Sequence, residues 1–134
     1  MNRRTETLPI WRDATRLAVD IEQAVRRFPR YHKYALGADL RRQAMNVCRS
    51  VTRAFHAKSS EERERMLDRL VMAVEDLKLS IQLAKELETF ASFAEFARVA
   101  ALAVDVGKQN GGWRKSARAK ARPEVHAAAA SAAA

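Results

Sequence analysis

The chain has 134 residues, with 25 Lys/Arg against 16 Asp/Glu, a formal net charge of +9 and an isoelectric point of about 10.4. That length fits one domain with a core large enough to need no staples, and the single cysteine excludes an internal disulfide. The opening "MNRRTETLPIW" carries charge without the apolar run of a leader, and no stretch reaches the length of a membrane span, so a cytoplasmic protein with a polyanionic partner is expected.

Sparse punctuation, four glycines and three prolines, divides the chain into four helical lengths. The first is predicted from about Pro9, a residue suited to a first helical turn, to about Phe28, where Pro29 stops it. Trp11, Ala14, Ala18, Ile21, Val25 and Phe28 recur along it at alternating steps of three and four. The connection "PRYHKYALG" follows, with Gly37 either inside it or in the first turn of the second helix. That helix reaches about His56 along the arc Leu36, Leu40, Ala44, Val47, Cys48, Val51 and Phe55. Cys48 on this arc reads as a small buried hydrophobe.

"SSEE" announces the third helix, because Ser59 with Glu62 three residues on is a capping box. It runs to about Glu88 through Leu67, Leu70, Val74, Leu77, Ile81 and Ala84. The fourth opens on a second box, Ser92 with Glu95, and continues through Phe96, Ala100 and Ala103 towards Trp113. Four such amphipathic lengths predict an all-α fold, an antiparallel up-down four-helix bundle over residues 1–116. Residues 117–134 follow as a basic and then Ala-rich tail. Its ending "AAAASAAA" has no large apolar residue to pack, and disorder or a fraying helix is expected there.

Two helices carry more apolar surface than one core face needs. The third has Met72, Leu79 and Leu83 on a second face, and in the fourth Val99, Leu102, Val106 and Trp113 widen the arc. A helix apolar on more than one side is buried on more than one side, within a thick core or, as expected here, against a second protomer. Gly111 and Gly112 sit where the helical pattern still runs, although each glycine costs about 1 kcal/mol relative to alanine in a helix. Small residues there suit the close approach of a neighbouring backbone, with Trp113 as the anchor and a flexible basic segment of Arg114, Lys115, Arg118, Lys120 and Arg122 beyond it; a frayed helix end with a solubilising tail is the alternative.

Little in the chain suggests catalysis, and no enzyme activity is expected. His32, His56 and His126 lack metal-ligand spacing, and neither HExxH nor CxxC is present. The stretch "VGKQNGGWRKS" does not have the residue order of a phosphate-binding loop. Carboxylates on the third helix are interleaved with Arg63, Arg65, Arg69 and Lys78, as on a solvated, salt-bridged face. No cofactor or metal is implied.

The charge is unevenly spread. Residues 1–58 hold 13 Lys/Arg against 5 Asp/Glu, whereas residues 59–92 hold 5 against 8. On the second helix Arg42, Arg49 and Arg53 fall within about 40° of one another, nearly opposite the core arc. On the first, Arg12, Arg16 and Arg27 gather away from Ile21. Arginine binds phosphate in a bidentate manner and is weakly hydrated, so these stripes are candidates for holding a nucleic-acid backbone. Nothing in their spacing reads base sequence. An adaptor whose basic faces meet an acidic protein is the alternative.

The segments "LPIWRDATRLA", "RRFPRYHKYALGADLRRQA", "LVMAVEDLKLSIQLAKEL" and "VGKQNGGWRKS", in that order and spacing, resemble a known group. It comprises the four-helix-bundle accessory proteins of diversity-generating retroelements, called Avd, and the related bundle proteins encoded in ribosomal RNA intervening sequences. The resemblance covers about residues 8–116. It implies a homopentameric barrel of bundles without catalytic activity, partnered with the element's reverse transcriptase and with RNA during mutagenic cDNA synthesis. Members often carry two basic residues where this chain has Lys78 and Gln82. Lys78 keeps the charge, Gln82 departs from the pattern, and Lys85 lies on the same face. Candidate nucleic-acid contacts are therefore Arg12, Arg16, Arg27, Arg42, Arg49, Arg53, Lys78, Lys85, Arg114 and Lys115. Candidate self-association contacts are Met72, Leu79, Leu83, Gly111, Gly112 and Trp113.

Overall fold

A computed structural model describes residues 8–133, with side chains through residue 121. Residues 1–7, the side chain of Arg122 and those of the Ala-rich tail lie outside the described residues. Among the described residues five helices follow in order: α1 (Pro9–Arg26), α2 (Arg30–Lys33), α3 (Leu36–Phe55), α4 (Ser60–Glu86) and α5 (Phe93–Ala133). There is no strand among the described residues.

The boundaries have local causes. Pro9 opens α1 without an N–H to satisfy. Before Pro29 the helical conformation is disfavoured at Phe28, and α1 ends in tight turns from the N–H groups of Arg27 and Phe28 to the carbonyls of Ala24 and Val25, both 3.0 Å. The single turn α2 was not anticipated. It forms because the Pro29 carbonyl accepts from the N–H groups of His32 and Lys33 at 2.9 and 3.0 Å. Gly37 is buried in the first turn of α3. A Cβ there would come within 2.6 Å of Val25 Cγ1, so the α1–α3 approach requires glycine.

Both capping serines act as expected, and both boxes close differently from the simple pattern. Ser59 Oγ accepts from Glu62 N at 3.0 Å, and the Glu62 carboxylate accepts from the N–H of Lys58 at 2.9 Å, one residue before the cap. Ser92 Oγ accepts from Glu95 N at 3.1 Å. The Glu95 carboxylate turns instead to Arg27, with Nε to Oε2 at 3.0 Å. At the end of α4 the chain reverses through Glu88 at φ 57°, and Thr89 N donates to Ala84 O at 3.1 Å. This is the left-handed C-terminal turn that glycine usually fills.

α1 packs on α3 and α5, and α4 packs on the same two helices. Named contacts fix the directions. Ala14 meets Cys48 and Glu22 meets Arg41 between α1 and α3. Asp13 meets Gln109 and Arg27 meets Glu95 between α1 and α5. Glu64 meets Arg118 and Asp68 meets Arg114 between α4 and α5. In each pair the residue numbers rise on one helix as they fall on the other. The core between them is made of Leu17, Ile21, Leu40, Val47, Val51, Leu67, Leu70, Leu77 and Ile81, each 2% exposed or less. Each such side chain contributes roughly 1.5–3 kcal/mol on burial.

Two expectations are corrected here. Val99 and Val106 do not widen α5 towards an outside partner: both are fully buried in the chain's own core, and Trp113 packs partly buried against it. Residues 117–121 do not belong to a disordered tail either. α5 runs unbroken through Gly111 and Gly112 to Ala133, and Ala117 and Ala121 are buried. Flanking good helix formers and the pairs Arg114–Asp68 and Arg118–Glu64 hold the helix where two glycines weaken it.

Candidate nucleic-acid interface

The apolar stripes that turn α1 and α3 inward turn their arginines outward. Arg12 and Arg16 are exposed on α1, and Arg42, Arg49 and Arg53 on α3. Arg49 and Arg53 line a groove of about 350 Å³ with Trp11, Met45, Cys48 and Thr52, at the seam of the two helices. Neither arginine has an acidic partner among the described residues, and Arg16 has none there either. Arg12 lies 3.4 Å from Asp13, and Arg42 lies 3.2 Å from Asp39 one turn earlier. Both remain more than 70% exposed, so these pairs restrain the guanidinium groups little.

The remaining candidates separate into two kinds. Arg27 is a strut between helices: it meets a Glu95 carboxylate that is only 11% exposed and whose other oxygen has no partner among the described residues. Arg114 is likewise tied, to Asp68 at 2.6 Å, and with Arg118 it fastens α5 to α4. The flexible segment expected beyond Trp113 therefore begins as a fixed helical face. Lys78 pairs with Glu75 at 3.2 Å, and Lys85 stands 5.2 Å from the Phe96 ring centroid. Lys115 is exposed. Arg63 is not part of a solvated face: Nε donates to Ala54 O at 3.0 Å and Nη2 to Phe55 O and Ala57 O at 3.3 and 3.1 Å. It satisfies the open carbonyls at the end of α3.

The self-association candidates also divide. Met72, Leu79 and Leu83 stand on the outer face of α4 at 62%, 62% and 49% exposure. Gly111 and Gly112 are exposed on α5, and a Cβ at either would meet nothing within 4 Å of its own chain. Trp113 is committed to the chain's own core. Phe93 and Leu87, 71% and 53% exposed beyond Leu83, extend the apolar surface. Sequence spacing passed over them because they flank a turn rather than sit in a helical stripe.

Cys48 donates its S–H to Ala14 O at 3.4 Å, and burial pushes its thiol up to about 11. It is an inert packing residue rather than a nucleophile. Among the described residues no group of His, Cys, Asp and Glu could hold a metal ion, and no helix is long and apolar enough to cross a membrane.

An all-helical bundle with a cationic outer face on α3 and exposed apolar side chains set among charged ones on α4 is the class of protein that these features define. Within that class, the model of the 23S rRNA-intervening sequence protein family matches residues 6–112, and the chain belongs to that family. No curated protein matches the chain.

Proposed function

We propose that this protein is a non-enzymatic accessory protein of a diversity-generating retroelement. In that role it binds template RNA or cDNA and the partner reverse transcriptase in the cytoplasm, and supports mutagenic cDNA synthesis. The bundle acts as an up-down antiparallel unit that self-associates, as a homopentamer by resemblance to Avd. The observation that carries the nucleic-acid part is the outer face of α3, where Arg49 and Arg53 lack acidic partners among the described residues. Unpaired arginines give up few existing contacts on meeting phosphate. The family's own description, a protein of a ribosomal RNA intervening sequence, agrees with a nucleic-acid setting. The self-association part rests on Met72, Leu79 and Leu83, which share one side of α4 with Asp76 and stand about half or more exposed in the single chain.

Fluorescence anisotropy of the purified chain with a labelled RNA, repeated across a salt series, tests this function. Binding that weakens linearly in log affinity against log salt is expected. No binding at low salt, together with tight binding to an acidic protein, would replace the proposal with the adaptor function.

A further inference from the structure

The connection between α1 and α3 places aromatic and basic side chains together in a way that the proposed function has not used. Its three aromatic residues part company. Phe28 turns inward, 4% exposed, and meets Phe90 edge-on at 5.3 Å between centroids. Tyr31 and Tyr34, the only tyrosines in the chain, turn outward at 87% and 75% exposure. The inward aromatic fixes the corner, and the short turn α2 fixes the outward pair. With helical backbone at both positions, Tyr31 and Tyr34 are spaced i,i+3, which brings Cβ atoms to about 5–6 Å on one face. His32 stands edge-on to Tyr31 at 4.9 Å between centroids.

The surroundings favour an anion. Between residues 26 and 42 there are six Lys/Arg and one acid. Arg26, Arg27, Arg41 and Arg42 are paired with Glu22, Glu95, Glu22 and Asp39. Arg30 and Lys33, interleaved with the two tyrosines, have no acidic partner among the described residues. Exposed rings next to unpaired cations match a polymer that carries a flat π-face and a negative charge on every unit. An acidic peptide would satisfy the cations and leave both rings in water.

We infer that Tyr31 and Tyr34 form a stacking platform for the bases of single-stranded nucleic acid, with Arg30 and Lys33 holding the adjacent phosphates. This inference rests on the nucleic-acid function proposed above and adds to it a preference for unpaired strands. A duplex keeps its bases stacked inside and offers these rings nothing but its ends. The arginine face of α3 then supplies electrostatic attraction that is blind to bases, while the tyrosine corner distinguishes nucleic acid from other polyanions.

The test compares wild type, Tyr31→Ala/Tyr34→Ala and Tyr31→Phe/Tyr34→Phe, all as the full chain. The probes are a fluorescein-labelled oligouridine of about 20 nucleotides, longer than one stacking site, and heparin, a polyanion without bases. Base stacking contributes enough that the Ala pair, which removes both rings, is expected to bind oligouridine at least about 30-fold more weakly, and at least about 5-fold if one ring carries the stacking. Its salt slope and its heparin affinity should be unchanged, because no cation has been removed. The Phe pair, which keeps both rings, should bind like wild type. Equal oligouridine affinity of the Ala pair and wild type would overturn the platform and leave the nucleic-acid function standing. Parallel losses for oligouridine and heparin would overturn it too, since the tyrosines would then not be sensing bases. Failure of wild type to bind oligouridine at any salt would instead remove the nucleic-acid function itself.

Discussion

α3 and α4 lie side by side and bury their inner faces in the same core, yet their outer faces differ. Around α3 the outside carries Arg42, Arg49 and Arg53 with Met45 half exposed beside them; around α4 it carries Met72, Leu79 and Leu83 among the charges of Glu75, Asp76 and Glu86. Apolar residues at helical spacing made both inner faces, so the bundle itself constrains neither outer one. Arginine costs little in water and cannot be deprotonated there, whereas half-exposed leucine and methionine leave apolar area uncovered. A cationic outside is compatible with a lone bundle; large apolar side chains left about half or more in water are where a covering partner would gain most. Thus α4 points to self-association and α3 to a polyanion, and the two proposals can be broken separately.

The strongest way to break the α4 half is to give it the character of its neighbour. Leu79→Glu places a charge between Met72 and Leu83, where burial without a partner is heavily penalised. Complete loss of the oligomer by light scattering is expected, with helical circular dichroism unchanged because Leu79 is 62% exposed in the chain. A wild type that is monomeric at micromolar concentration would remove this half outright. Gly111→Val with Gly112→Val sharpens it. A Cβ at either position meets no other part of the chain within 4 Å, so a weaker oligomer with unchanged helical circular dichroism reports an intermolecular contact. Overpacking of a close approach costs about 1–3 kcal/mol, a loss of roughly 5- to 150-fold in assembly constant by analytical ultracentrifugation. Unchanged assembly would free the glycines from any interface.

A smaller effect separates tied from untied arginines. Arg27→Met removes the partner of the nearly buried Glu95 carboxylate. Urea unfolding should show destabilisation by about 1–3 kcal/mol, below the cost of a fully buried pair because Arg27 is half exposed. Arg53→Ala, with no acidic partner to orphan among the described residues, should stay within about 0.5 kcal/mol of wild type. Equal losses for the two would erase the distinction drawn between struts and free surface.

This distinction marks where the sequence stops being legible. The four long helices were readable because Pro9, Pro29, Ser59 and Ser92 punctuate them and their apolar spacing holds. So was the outward direction of Arg42, Arg49 and Arg53, which follows from α3 geometry alone. Which cations are spent inside the chain was not readable, because Arg27–Glu95, Arg114–Asp68 and Arg118–Glu64 join residues 46 to 68 positions apart. Helical periodicity carries no information about such partners. The fate of Val99 and Val106 was hidden for a similar reason. α5 is apolar over a wide arc, and only the placement of α1 and α4 on either side decides which part of it is core. The segment beyond Trp113 was misjudged from composition, since alanine with arginine looks like a tail until its arginines find the acids of α4. Tyr31 and Tyr34 had a visible signal, aromatics alternating with bases in "RYHKY", but no periodic pattern to show that both rings face out.

The most direct measurement of the account is a salt titration of RNA binding by fluorescence anisotropy, on wild type and on Arg42→Glu/Arg49→Glu/Arg53→Glu. Each phosphate neutralised contributes roughly 0.7–0.9 to the slope of log affinity against log salt. These three side chains point away from the core, so the variant should remain folded. Weaker binding and a flatter slope are expected for the triple variant. Equal affinities and equal slopes would contradict this, and would leave the arginine face of α3 as a solvated surface.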